Sequence, residues 1–330
     1  MTSKRSIVFL SALLLTAAAA ILSLLLGAAA LSLRQIWEAV CSGPSGAAGR
    51  IFWYARLPRT AACLLSGAAL AVSGAVIQTV LHNHLASPGI IGVNSGAGLA
   101  VTVCCACGLL SGWAVAIAAF AGAVGAVLLV VFAARKTGAS RTTVILGGVA
   151  VGGFLTALSE AVSTLVPEAS LLSGDFRVGG FGAVSHLRLI PAGILILAAL
   201  IVILSMTNEL DVLSLGEQTA GSLGIPVRRM RTLFLILAAL LAGASVSVAG
   251  LLGFVGLLVP HMARKLVGGE CRHLVPLCAL GGAGFVTLCD VASRMIFAPH
   301  EFPVGILMSV IGGPCFMLLL IRRKGGISRA

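Results

Sequence analysis

The sequence predicts an all-α, polytopic membrane protein, with about ten transmembrane helices of ~20 residues each in a tightly packed bundle. Three observations carry this reading. The 330 residues are 59% hydrophobic and only 10% charged, far too little polar surface to cover a soluble globule. The apolar residues gather into long stretches separated by short turns or charged loops, which leaves room for one transmembrane domain over residues 1–330 and for no separate soluble one. Gly67, Ala71 and Ala75 recur every four residues, as do Gly122 and Ala126; small residues at that spacing let helix backbones approach closely where lipid offers no hydrophobic drive.

In chain order the spans read as residues 7–30, 59–80, 90–110, 113–134, 143–165, 189–206, 232–248, 251–267, 275–293 and 304–321. The first, preceded by Lys4 and Arg5 and ending at Ala28, Ala29 and Ala30, imitates a secretory signal. Its apolar run exceeds the usual ~7–15 residues and further spans follow, so it reads as an uncleaved helix. With the N-terminus in the cytoplasm, the outer segments hold seven of the 22 basic residues, Arg34, Arg50, Arg56, Arg59, Arg177, Arg188 and Arg294, and the inner segments hold the other fifteen. That bias sets both termini inside. It also accounts for the net charge of +12 without nucleic acid, because the basic residues sit in short inter-span loops with no aromatic-rich polar module around them.

The loops differ in character. Residues 213–229, between spans six and seven, read LSLGEQTAGSLGIPVRR and fall in the cytoplasm. Gly216 starts a new turn, Glu217, Gln218, Thr219, Ala220 and Leu223 form a short helix, and Gly224, Ile225 and Pro226 stop it. A helix that short is held by its flanking spans. It is either a solvated loop or a knob for a cleft on a soluble partner, whose motion would then tilt spans six and seven together. The outer loop 167–186 contains SGDFRVGGFG, a tight turn or short re-entrant piece. Pro88, Gly89, Gly92, Gly96 and Gly98 after HNHLA predict an irregular hairpin entering span three. GAALAVSG at 67–74 and GASVSVAG at 243–250 are either inverted repeats of a transporter or a low-complexity coincidence.

Few residues carry chemistry. Asp290 and Arg294, four apart, share a helix face in the favourable acid-first order and read as a structural ion pair; Glu160 lines a pore mouth or reaches water. Neither begins a proton relay, and the scarcity of ionisable groups near the midplane argues against an ion-driven carrier, which stands as the alternative function. His261, after Pro260, reads as a helix-terminal packing or hydrogen-bonding residue rather than a metal ligand. His82 and His84 lack cysteine or carboxylate neighbours in sequence, so no zinc site is expected. The nine cysteines lie mostly in apolar runs as small packing residues. No phosphate-binding G-x-x-x-x-G-K-[ST] loop, G-x-S-x-G elbow or H-E-x-x-H helix occurs, so no enzyme activity and no bound cofactor or metal are expected.

Several ordered stretches resemble the FecCD-type permeases of bacterial ABC importers for iron-siderophore complexes, haem and cobalamin. They are RLPR at 56–59, SGAALAVSGAVIQ at 66–78, LASPGIIGVNSGAG at 85–98, LGEQTAGSLG at 215–224, GFVGLLVPHMAR at 253–264 and FPVGILMSVIGGPCF at 302–316, which together cover nearly all the chain after the first helix. His84 departs from the family's proline after the asparagine and is expected to loosen that turn.

The resemblance implies a ten-helix subunit of the type II ABC importer permease fold, paired with a second permease subunit, two cytoplasmic ATPases that use ATP and Mg, and an extracytoplasmic binding protein. It makes 215–224 the coupling segment seated in an ATPase groove, with Leu215, Gly216, Glu217, Ala220, Leu223 and Gly224 as contacts. It implies that Arg56, Arg59 and Arg294 pair with glutamates of the binding protein, as bidentate guanidiniums suit. Arg141, Thr142 and Thr143 become gate candidates beside span five, a main wall of the pathway, and Pro260, His261, Arg264, Asp290, Pro303 and Gly305 belong to the structural motifs. The expected location is the bacterial cytoplasmic membrane, and the cargo most in keeping with the family is a ferric siderophore, otherwise haem or cobalamin.

Overall fold

A computed structural model describes residues 2–27, 29, 31–136, 141–296, 298 and 300–324. Among them every regular element is helical. The first helix, α1 (Thr2–Leu25), is followed by two short ones, α2 (Leu33–Ser42) and α3 (Gly46–Arg50). A π-helical stretch, Ile51–Arg56, joins α3 to α4 (Leu57–Val80) as one continuous 35-residue rod. Then come α5 (Val93–Ala106), α6 (Gly112–Lys136), α7 (Arg141–Leu165), the short α8 (Pro167–Leu172) and α9 (Gly174–Val178), and α10 (His186–Ser205). The chain continues through α11 (Thr207–Ser214) and α12 (Glu217–Ser222) to α13 (Val227–Ala249), α14 (Val255–Val267), α15 (Cys271–Ile296) and α16 (Val304–Lys324).

A helix coincides with each of the ten expected spans, but among the described residues seven helices are long and apolar enough to cross a bilayer by themselves. The others differ for local reasons. α5 has 14 residues because a run of turns, not helix, occupies residues 81–92. α14 has 13 residues, beginning only after Phe254, whose φ of 62° breaks the ladder. The third, α16, is apolar over Val304–Leu318 among the described residues; α1, one of the seven, stops at Leu25, short of residue 30. The segment 33–56, read as loop, is instead helical. Ser32 and Gln35 form a reciprocal capping box, and the Trp53 indole N–H donates to the Ala39 carbonyl (2.9 Å) above a small cluster of Ile36, Ala39 and Phe52.

α4 is the centre of the bundle, buried almost without interruption from Ser66 to Gln78. It runs from the end where α1 finishes to the end that carries α12, while α1, α13 and α15 run the opposite way. Its neighbours come close because glycine faces glycine. A Cβ on Gly67 would collide with the Gly282 backbone of α15, one on Gly74 with Gly256 of α14, and Gly96 of α5 meets Gly122 of α6 in the same manner. Polar side chains inside the bundle answer backbone groups, as buried groups must. Ser73 Oγ donates to Ala238 O (2.7 Å), and Gln78 Nε2 donates to Gly256 O (3.0 Å) while its Oε1 accepts from Arg264. The 67–74 and 243–250 copies sit in antiparallel helices but at different depths: the first is mid-helix in α4, whereas Gly250 ends α13.

The turn after α4 is closed despite His84. Asn83 N donates to Gln78 O (3.1 Å), Ala86 N to Asn83 O (3.0 Å) and Leu85 N to Asn83 Oδ1 (2.9 Å), so the expected loosening is absent. Loop 167–186, expected as a turn or re-entrant piece, holds two short helices, α8 packed on α5 and α7, and α9 meeting the ends of α13 and α16. Leu251 N donates to Phe176 O (3.0 Å) and Gly180 N to Ala249 O (2.8 Å). Gly305 has no room for a Cβ against the Val178 carbonyl, and Pro303 O accepts from Ile306 N and Leu307 N to open α16.

These contacts predict the cost of one methyl. Gly67→Ala is expected to force α4 and α15 apart and to lower stability by about 1–3 kcal/mol. Gly125→Ala, where the new carbon meets nothing within 4 Å, is the control. Thermal unfolding in detergent should separate the two variants, and equal midpoints would refute the packing argument.

Candidate functional sites at the two ends of the bundle

At one end α12 projects on a stalk. α10 breaks at Met206, and α11 continues with Leu210 and Leu213 buried. Gly216 then takes φ 112° and Gly224 φ 83°, conformations that favour glycine, so the two residues bracket α12 as the sequence suggests. Within it Ala220 is fully buried, whereas Leu215 and Leu223, on either side, are each 61% exposed. Two large apolar side chains held in the open flank a six-residue helix.

Three bonds fasten this stalk to the rest of the bundle, two of them to helices other than its immediate neighbours. Glu217 pairs with Arg231 of α13. His82, in the turn after α4, donates through Nε2 to Ser214 O (2.9 Å), and Asp211 Oδ1 accepts from Cys271 N at the start of α15 (2.7 Å). Besides spans six and seven, which flank the segment, α4 and α15 are bonded to it as well. Thr142 lines a 450 Å³ recess with Leu215, Gly216, Glu217, Gln218 and Thr219, which brings one gate candidate against the start of α12. Thr143 follows it in α7 and does not line that recess; the Arg141 side chain lies outside the described residues. Pro260 is buried inside α14, and His261 is half-buried one residue on.

The opposite end holds a buried ion network. Asp290, fully buried, accepts from Arg59 Nε (3.2 and 3.1 Å) and Nη2 (3.0 Å) and pairs with Arg294 Nε (3.1 Å). Arg294 also donates to Leu26 O (3.0 Å) and Ser23 Oγ (2.9 Å). Arg56 donates to Leu24 O (2.7 Å), Leu25 O (2.8 Å) and Ala29 O (2.6 Å). The last carbonyls of a helix lack intrahelical partners and carry its negative dipole end. Two guanidiniums satisfy them here, which explains why α1 can stop inside protein.

The expected Asp290–Arg294 pair is present, and Arg59 completes it. The three arginines line one 350 Å³ recess with Tyr54, Phe181 and Glu301. Arg56 and Arg294 are nonetheless only 4% and 3% exposed, committed to bonds within the subunit rather than held outward. Arg59 alone shares its guanidinium with an accessible carboxylate, donating from Nη1 to Glu301 Oε2 (2.7 Å), with Glu301 42% exposed.

A third set of polar residues follows the α5–α7 wall. Arg177 Nη2 donates to Ser159 Oγ (2.9 Å), Ser163 Oγ (3.2 Å) and Thr102 Oγ1 (3.3 Å). With Asn94, Ser95, Thr156 and Glu160 it lines a 260 Å³ recess, and a 300 Å³ recess continues past Gly148, Gly152 and Gly153. Glu160, read as a pore-mouth or water-facing residue, belongs to this wall. Among the described residues no three His, Cys, Asp or Glu side chains are grouped to hold a metal.

Known proteins share this architecture. Residues 14–322 match the model of the FecCD transport family. The chain is 34% identical over 306 residues to the hemin transport system permease protein HmuU of Yersinia pestis, covering 91% of this chain and 90% of that one. It is 39% identical over 289 residues to the vitamin B12 import system permease protein BtuC of Salmonella paratyphi A, covering 84% and 85%. It is 38% identical over 282 residues to the uncharacterized ABC transporter permease protein YvrB of Bacillus subtilis, covering 82% and 78%. Its structure superposes with a TM-score of 0.85 and 29% identity, over 95% of this chain and 98% of the other, on the inward-facing form of a transporter assigned to the metal-chelate ABC type. With the family's segments spread along the whole chain and folded into the same bundle, the protein is a member of the FecCD transport family.

Proposed function

We propose that this chain is the transmembrane permease subunit of an ATP-driven importer that carries a metal chelate inward across the bacterial cytoplasmic membrane by alternating access. The observation that supports it most is α12: a short helix with Leu215 and Leu223 exposed, fastened to α4, α13 and α15. A solvated loop needs neither feature. In this reading α12 and both termini are cytoplasmic, and the two leucines with Gly216, Glu217, Ala220 and Gly224 seat in a groove of a separate ATPase, which uses ATP and Mg. Two ATPases, a second permease subunit and an extracytoplasmic binding protein complete the assembly. The permease itself is not an enzyme.

Motion of α12 passes through Glu217–Arg231 to α13, through His82 to α4 and through Asp211 to α15. α4, 24 residues long and so about 36 Å from end to end, is joined to α15 again at the far end by Arg59–Asp290. The α5–α7 wall, with Arg177, Glu160, Asn94 and Thr156, is the proposed pathway surface, and Thr142 with Arg141 and Thr143 is the proposed gate beside the coupling segment. The cargo is a ferric siderophore, haem or cobalamin, and the relatives named for hemin and vitamin B12 transport support that class. At the outer end the binding protein docks over the recess of Arg56, Arg59 and Arg294, where one of its carboxylates competes with Glu301 for Arg59.

Replacing Leu215 and Leu223 by serine is expected to weaken copurification of the ATPase by roughly tenfold or more, since burying one leucine contributes about 1.5–3 kcal/mol. Undiminished copurification contradicts the groove. Glu217→Gln keeps an acceptor for Arg231 but removes the charge, and should raise the ATP hydrolysed per cargo molecule in reconstituted vesicles; an unchanged ratio counts against coupling through this pair. Glu301→Gln frees Arg59 and should tighten binding of the cognate binding protein by about two- to fivefold, the scale of an exposed ion pair. Equal or weaker binding would remove Arg59 from the docking surface.

A further inference from the structure

Between α6, α7 and α13, at the end of the bundle that carries α12, lies a cavity of about 450 Å³ whose mouth holds Arg228, Arg229 and Arg231. No acidic residue lines it. Arg231 is paired with Glu217, whereas among the described residues no carboxylate lies in salt-bridge range of Arg228 or Arg229, which are both exposed. Two cations therefore share a pocket with no carboxylate counter-charge among the described residues. Its inner walls are apolar, formed by Val131, Val144 and Leu235, and the same helices carry exposed Phe132, Leu146 and Leu233.

We infer that this cavity binds the phosphate of an anionic phospholipid headgroup, with the first acyl carbons lying along the apolar walls. Charge complementarity selects an anion, and the apolar interior selects one with a hydrocarbon extension. The volume is many times the ~30 Å³ that one water takes in the liquid, more than a free phosphate fills. Position agrees as well: the arginines occupy the first turn of a membrane-spanning helix, at headgroup depth, and basic pockets between transmembrane helices on the cytoplasmic side hold acidic lipid headgroups. A soluble partner reaches α12 but has nothing to place between three spans. The inference does not depend on the importer reading, because it needs only the bilayer.

The test is native mass spectrometry of the full-length chain released from detergent micelles doped with dioleoyl phosphatidylglycerol or dioleoyl phosphatidylcholine. The wild type should retain phosphatidylglycerol over phosphatidylcholine. Arg228→Gln/Arg229→Gln should lower that retention roughly 30-fold, from about fivefold per arginine near a charged headgroup. The lysine pair at the same positions should keep most of it, and Arg34→Gln/Arg50→Gln at the other end should leave it unchanged. Equal retention of the two lipids, or retention unaffected by the glutamine pair, overturns the proposal. So does displacement of phosphatidylglycerol by millimolar inorganic phosphate, which would make the site one for a free anion. Loss of ATPase copurification in the glutamine pair with lipid retention intact would assign the arginines to a protein partner instead, and also overturns it.

Discussion

Asp290, a carboxylate with no access to solvent, is held between two guanidiniums, and the arrangement of the helices depends on that contact. A buried charge that loses a partner costs about 3–5 kcal/mol, so Arg59 on α4 and Arg294 on α15 must both stay in reach of it. Arg294 then extends to Ser23 and Leu26, and Arg56 takes the remaining carbonyls of α1. One acid thus sets the relative height of three helices. Replacing such a network by apolar side chains often leaves stability unchanged or improved; its contribution here is registration. Helices packed by small residues slide more easily than helices interlocked by large ones.

Registration at one end gives the other end its mechanical meaning. α4 and α15 meet at Gly67 and Gly282 without side chains between them, are locked at Asp290, and are both bonded to the stalk of α12 through His82 and Asp211. Contacts at the two ends and in the middle make the pair a stiff strut rather than two independent rods. α7, more exposed, bears the polar recesses on its side. A bundle with a stiff interior changes shape by rigid-body motion, which is the form of motion alternating access requires.

Much of this was legible in the sequence where composition alone decides. α4 was readable because Gly, Ala and Ser at close intervals admit only a buried, tightly packed helix, and α12 because Gly216, Gly224 and Pro226 punctuate it. The Asp290–Arg294 pair was readable from a spacing of four. What escaped depended on distance along the chain. His82 finds Ser214 across 132 residues and Asp211 finds Cys271 across 60, and nothing in the local pattern of either residue announces its partner. Charge bookkeeping gave the end of the bundle at which Arg56 and Arg294 lie but not their inward direction, because helix-end carbonyls become partners only once α1 is packed beside α4. The helices of 33–56 were missed because they are short and amphipathic, and the shortness of α5 and α14 because apolar turns are indistinguishable from apolar helix by hydropathy.

The central claim is that α12 and the α4–α15 strut move as one body. Distances between site-specific spin labels test it directly in the assembled transporter, with one label at Ser222, exposed in α12, and another at Ile296, exposed at the far end of α15. On ATP binding, the Ser222–Ile296 distance within one subunit should stay constant while the distance from Ile296 to a label on the second permease subunit changes. A Ser222–Ile296 distance that changes while the distance to the second subunit stays constant would contradict the strut.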